Sequence, residues 1–170
     1  MSDMIGKQTI LIDAPAKKIY DYVADFPKHC EWNDGLVKMK RVTDGPIAVG
    51  SQFQTKEKVP DDIPAVMKMM MPVMNALMGL KEYTESEITA LEPHRRLAWK
   101  AGLPMRGGYM LKSTWELTLE SRESGTVVTQ SFRFMPQNMM TRMMANDAQA
   151  QKIAEGVAQN LAVLKRIVES

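Results

Sequence analysis

The stretch ILIDAPAKKIYDYVADFPKHCEWNDGLVKMKRVTDGPIAVGSQF, Ile10 to Phe53, decides how the rest of the chain is read. It opens on the end of an alternating run, KQTILID (Lys7–Asp13), the pattern of a strand with one buried face. After Pro15, Ile19, Tyr20 and Val23 recur at helical spacing; proline suits a first helical turn because its missing N–H would have no partner there. PKHCEW predicts a second short helix. GLVKMKRV and GSQFQTKEKV then read as two strands joined through TDGP, where Asp44, Gly45 and Pro46 supply turn geometry.

Further along, KEYTESEITALEP, RRLAWKA, GYMLKSTWELTLES and GTVVTQSFRFM each alternate apolar with polar residues and are divided by EPHR, GLPMRGG and SRESG, the signature of an antiparallel meander. From Pro136 to Ser170, apolar residues such as Met139, Met143, Ile153, Val157, Leu161, Leu164 and Val168 recur at three or four residues, which predicts one long amphipathic helix. No repeat or linker interrupts the pattern, so a single α+β domain spanning 1–170 is expected. A helix laid across a curved sheet leaves a pocket wherever the two fail to close.

Composition narrows the function classes. Of the 170 residues, 45% are hydrophobic and 25% charged, and the net charge of +2 comes from interspersed residues, so no basic block marks a nucleic-acid partner. The single cysteine, Cys30, excludes an internal disulfide, and with only His29 and His94 beside it no metal site is implied; no cofactor motif is present either. The N-terminal residues carry no apolar run of signal-peptide length, so the expected compartment is the cytoplasm. Ile63–Leu80 is broken by Pro64, Lys68, Pro72 and Asn75, which argues against a transmembrane span.

The "AP" after the first strand, "VADF" in the first helix, "EW" closing the second, "GP" followed by "VGS", and the later "EPHRRLAW" resemble the START-like, or Bet v 1-like, superfamily, in particular its polyketide cyclase/dehydrase type 2 branch. The resemblance implies a helix-grip fold: about seven antiparallel strands wrapped around a long C-terminal helix, with two short helices after the first strand. It also implies an apolar cavity, used across the superfamily for carrying lipids and other hydrophobic ligands or for cyclase chemistry. This chain departs from the pattern by inserting residues Pro60–Leu80 between its third and fourth strands, and long excursions of this kind are often functional.

That insert holds six of the sixteen methionines. Met67, Met70, Met71, Met74 and Met78 would share one side of a helix kinked or divided at Pro72 and ended by Gly79, with Asp61 and Asp62 at its positive N-terminal end. A second group, including Met139 and Met143, starts the C-terminal helix. Methionine is flexible and polarizable, so facing methionine walls would adapt to differently shaped apolar guests. The same pattern also fits a closed core, an oligomer contact or a transient membrane-surface contact.

Alternation places Tyr109, Ser113 and Trp115 on one face of a strand, with Trp99, Phe53, Phe134 and Gln130 in the equivalent phase of theirs. The expected ligand-binding residues are therefore Phe53, Met67, Met70, Met71, Met74, Trp99, Tyr109, Trp115, Phe134, Met139 and Met143. Tyr109, Ser113, Gln130 and His94 are the candidate polar or catalytic groups, Arg95, Arg96 and Arg106 candidate anion-attracting rim residues, and Glu85 with Glu87 an acid/base pair if buried. No nucleophile motif, phosphate loop or dinucleotide fingerprint is present, so the leading expectation is binding or transport of a small hydrophobic molecule, such as a lipid, polyketide, isoprenoid or quinone-like compound. A cyclase/dehydratase-type enzyme and a protein-interaction module are the alternatives.

Overall fold

The computed structural model describes residues 3–61 and 63–170. Seven strands, β1 (Met4–Ile12), β2 (Leu36–Arg41), β3 (Gln52–Glu57), β4 (Thr84–Glu92), β5 (Arg96–Met105), β6 (Gly108–Arg122) and β7 (Gly125–Pro136), form one antiparallel sheet in the order β1-β7-β6-β5-β4-β3-β2. Consecutive strands β1 and β2 thus occupy opposite edges. The chain crosses between them through α1 (Ala16–Val23), a 3₁₀ turn (Phe26–Lys28) and α2 (His29–Trp32). The remaining helices are α3 (Ala65–Met78), α4 (Met139–Met144) and α5 (Asp147–Glu169).

The curved sheet buries one face. Ile12, Phe53, Ile88, Leu97, Leu117, Val128 and Phe132 point inward at alternate positions and meet Ile19 and Val23 of α1 and Phe26 and Trp32 of the crossing. α5 closes this core with Val157, Leu161, Leu164 and Val168, spaced so that one stripe faces the sheet. Each such side chain contributes roughly 1.5–3 kcal/mol on full burial.

Three elements differ from the sequence-based expectation. The C-terminal segment is two helices: Ala145 turns extended and Asn146 caps a new start, its side chain accepting a hydrogen bond from the Gln149 N–H at 2.9 Å. α3 is a single helix in spite of Pro72, because it lies on the surface, where water can satisfy the carbonyl that the missing N–H releases. It begins only at Ala65, after Pro64, so Asp61 stands outside the first turn with its carboxylate 3.5 Å from Lys58 Nζ; Asp62 lies outside the described residues. It ends, as expected, at Gly79 in the left-handed conformation. Lastly, GLPM is strand rather than turn: β5 runs to Met105, and only Arg106 and Gly107 separate it from β6.

Candidate ligand-binding site

Strand register aligns the inward side chains in rows. One row runs Arg41, Phe53, Ser86, Ala101, Ser113 and Phe134 from β2 to β7; the next carries Ile88, Trp99, Trp115 and Phe132. The rings form a continuous wall. Phe26 stacks on Phe53 at 5.0 Å and on His29 at 4.5 Å, His29 meets Trp99 edge-on at 5.4 Å, Trp99 and Trp115 lie parallel at 6.2 Å, and Phe134 stands edge-on to Trp115 at 5.3 Å. No side chain of α5 is fully buried before Val157, and only Ile153 and Ala154 pack half-buried against the core ahead of it, so the start of that helix covers the sheet loosely. Trp99, Trp115 and Phe134 accordingly remain half-buried, an aromatic floor open on one side.

Four of the inward groups keep buried polar atoms without partners: Ser86 Oγ, Gln130 Oε1, Trp32 Nε1, and Nε and Nη2 of Arg41. Leaving a buried donor or acceptor unpaired costs about 1–3 kcal/mol, so such atoms are natural contacts for polar groups of a bound molecule. Ser113 is different, since its Oγ accepts a hydrogen bond from Trp115 Nε1 at 3.0 Å and is satisfied within its own strand. His29 is fully enclosed in the aromatic wall, with Nε2 2.7 Å from the Val23 carbonyl. Burial disfavours its charged form and holds its pKa down at about 4, against the smaller opposing effects of the Val23 hydrogen bond and Asp25.

Tyr109 does not face the concave side. One extra residue in β6, between the pairs Leu103–Leu111 and Pro104–Tyr109, reverses the alternation. The Tyr109 ring therefore lies on the outer face over Gly102, where any Cβ would approach it to 2.7 Å, and its hydroxyl donates to Glu85 at 2.8 Å. That hydrogen bond, with burial, raises the phenol pKa. Tyr109 and Met135 border a groove of about 440 Å³ on this outer face, and charged side chains around it are already engaged: Glu87 with Lys100 at 3.1 Å, Lys112 over the Tyr109 ring. Glu85 and Glu87 are thus outward partners of other groups.

His94 occupies the exposed turn between β4 and β5 with φ 61° and meets Tyr20 edge-on, at the far end of the β5–β6 hairpin from Tyr109. Arg96 is bound to Glu116 and Glu92, Arg95 is exposed, and Arg106 sits at the β5–β6 tip. The methionines split. Met71 and Met78 turn half-buried toward the body of the protein, whereas Met67, Met70, Met74, Met139 and Met143 are exposed, so α3 contributes nothing to a closed core. α3 and α4 nonetheless converge on the same hairpin: Arg106 N–H donates to the Met78 carbonyl at 3.2 Å, and the Thr141 hydroxyl to the Met110 carbonyl at 3.3 Å.

The fold thus brings Phe53, Trp99, Trp115, Phe134, Ser113 and Gln130 to one face and sets the methionine helices at the β5–β6 tip; Tyr109 lies at that tip but on the opposite face of the sheet, and His94 is remote from both. Sequence reasoning missed Arg41, Ser86, Trp32 and His29. For the last two a signal existed, because Phe26, His29 and Trp32 recur every third residue. Among the described residues no cluster of three His, Cys, Asp or Glu side chains could hold a metal, and no helix is long and apolar enough to cross a membrane.

The sequence profile of a family described as polyketide cyclase / dehydrase and lipid transport matches residues 6–169, and the chain belongs to this family, within the Bet v 1-like superfamily. Its fold is that of the di-domain ARO/CYC StfQ from the steffimycin biosynthetic pathway (TM-score 0.69, 13% identity, covering 99% of this chain and 52% of that one). It is also that of Ara h 8.0201 (TM-score 0.63, 14% identity, 96% of each chain) and of a protein from Thermus thermophilus (TM-score 0.66, 11% identity, 96% of each chain). No curated protein is a significant sequence match.

Proposed function

We propose that the protein binds and carries a small, mostly hydrophobic molecule on the concave aromatic face, with the methionine helices α3 and α4 bordering the mouth. The observation that carries this reading is the half-buried floor of Trp99, Trp115 and Phe134 beneath the start of α5, where no side chain before Val157 is fully buried. Phe53, fully buried, forms its inner wall. The unpartnered Ser86, Gln130 and Arg41 atoms favour a guest with one or two oxygen functions over a bare hydrocarbon. Met67, Met70, Met71, Met74, Met139 and Met143 act as an adaptable border rather than as fixed contacts. The cytoplasm is the proposed compartment.

Intrinsic indole fluorescence tests this reading. Titration with a long-chain fatty alcohol should change tryptophan emission saturably, and Trp115→Ala should weaken binding about tenfold, with a smaller loss for Trp99→Ala. Equal binding by wild type and both variants would contradict the assigned floor.

A second reading, cyclase/dehydratase-type chemistry, is supported by Gln130, whose carbonyl oxygen is buried and unpaired and so free to position a substrate hydroxyl. Gln130→Met keeps the volume and removes the orphan, so stability should hold or rise by up to about 1 kcal/mol. Affinity for a hydroxylated guest should fall about tenfold while that for an alkane-like guest is unchanged. Equal losses for both guests would mean Gln130 serves packing alone.

A further inference from the structure

We infer that α3 and α4 form a docking surface for a lipid bilayer with anionic headgroups. At about 100° per residue, Val66, Met69, Met70, Val73 and Leu77 fall on one side of α3, and with Met67 and Met74 they cover an arc of about 160°. All are exposed, Met69 at 75% and Leu77 at 74%, while Met71, Asn75 and Met78 face the body of the protein. α4 repeats the pattern, with Met139 at 79% and Met143 at 77% exposure. Both helices are tied to the β5–β6 tip, α3 by the Arg106 N–H to the Met78 carbonyl and α4 by the Thr141 hydroxyl to the Met110 carbonyl, so the two apolar faces belong to one end of the molecule.

Charge selects the occupant. Residues 63–81, 103–110 and 136–146, which build this end, contain Lys68, Lys81, Arg106 and Arg142 and no acidic residue, although Glu82 and Asp147 adjoin them and Glu85 accepts the Tyr109 hydroxyl on the outer face. Lys81, Arg106 and Arg142 have no ion-pair partner among the described residues. A second copy seated on the same face would set like charges against each other, whereas a bilayer bearing phosphate headgroups offers both an apolar phase for the methionines and counter-charge for the bases. The chain's near-neutral total conceals this, since the segregation arises only when three distant segments meet. The inference stands independently of the ligand-binding reading.

Vesicle flotation tests it. The protein should associate with phosphatidylcholine/phosphatidylglycerol vesicles at least tenfold more tightly than with phosphatidylcholine alone, and rising salt should weaken the association. Met69→Glu/Val73→Glu/Leu77→Glu should abolish it with an unchanged thermal midpoint and unchanged fatty-alcohol titration, because those side chains bury nothing. Arg106→Glu/Arg142→Glu should remove the preference for the anionic vesicles. Equal partition to neutral and anionic vesicles, no association with either, or a concentration-dependent dimer dispersed by Leu77→Glu would each overturn the inference.

Discussion

Phe132→Ala should destabilise the protein by about 3–5 kcal/mol, among the largest effects of any single side chain. The ring is 2% exposed, leans on Trp115 and Phe134 with centroids 5.8 Å away in each case, and lies opposite Gly6 across the β1–β7 pair. Gly6 is there because the ring occupies its Cβ space: a Cβ would come to 2.5 Å from Phe132 Cζ. Gly6→Ala alone should therefore also destabilise, by about 1–3 kcal/mol as the ring is displaced. In the Phe132→Ala background the same methyl enters the vacated volume. Chemical denaturation of the four proteins in a double-mutant cycle should thus give a coupling of at least about 1 kcal/mol favouring the pair. Additive losses would mean the ring does not cover Gly6.

The second large effect is a dependence of stability on pH through His29. Its folded pKa is lowered from 6.5 to about 4, chiefly by burial, so the unfolded state binds more protons between these values. The stability associated with the neutral imidazole is therefore fully present above the unfolded pKa and is lost progressively as pH falls from 6.5 toward 4, by about 3 kcal/mol in all. Urea unfolding between about pH 7 and 4.5 should show this decline. His29→Phe keeps a ring against Phe26 and Trp99 but cannot titrate, so its stability should be nearly flat over that window, although lower near neutral pH for want of a donor to the Val23 carbonyl. An unaltered slope in the variant would assign the acid sensitivity elsewhere.

The sheet was largely legible because alternation has a period that burial enforces: a strand with one face in the core cannot shift by one residue without exposing its apolar set. Trp99, Trp115 and Phe134 were placed inward on that ground alone. Tyr109 defeated the same logic, since a single bulge at Met110 of β6, opposite the Leu103–Pro104 step, inverts the β6 residues beyond it and leaves no compositional mark. The break before α5 did leave one. Asn146, with Gln149 three residues on, is a helix-start signature, as is Asn138 before Thr141, whose side chains and backbones exchange hydrogen bonds. Helical periodicity carried straight through both and masked them.

For α3 the limit was of another kind. Spacing established that the methionines lie together on a helix, but an apolar arc has the same sequence whether it faces a core, a guest or solvent. Only the Met78 carbonyl bonded to Arg106 at the β5–β6 tip, with the half-burial of Met71, Asn75 and Met78, reveals which side is turned outward. The unpaired atoms of Arg41 and Ser86 were equally invisible, because pairing is a property of three-dimensional neighbours. Composition says which groups need partners, and the fold decides which go without.

The most direct test of ligand binding is native mass spectrometry of the protein purified from its expression host, followed by denaturation and identification of what is released. A stoichiometric, mostly apolar adduct bearing one or two oxygen functions, diminished in Trp115→Ala, is the expected result. A bare protein that also leaves its tryptophan emission unchanged in the presence of fatty alcohols would contradict a hydrophobic site on the concave face.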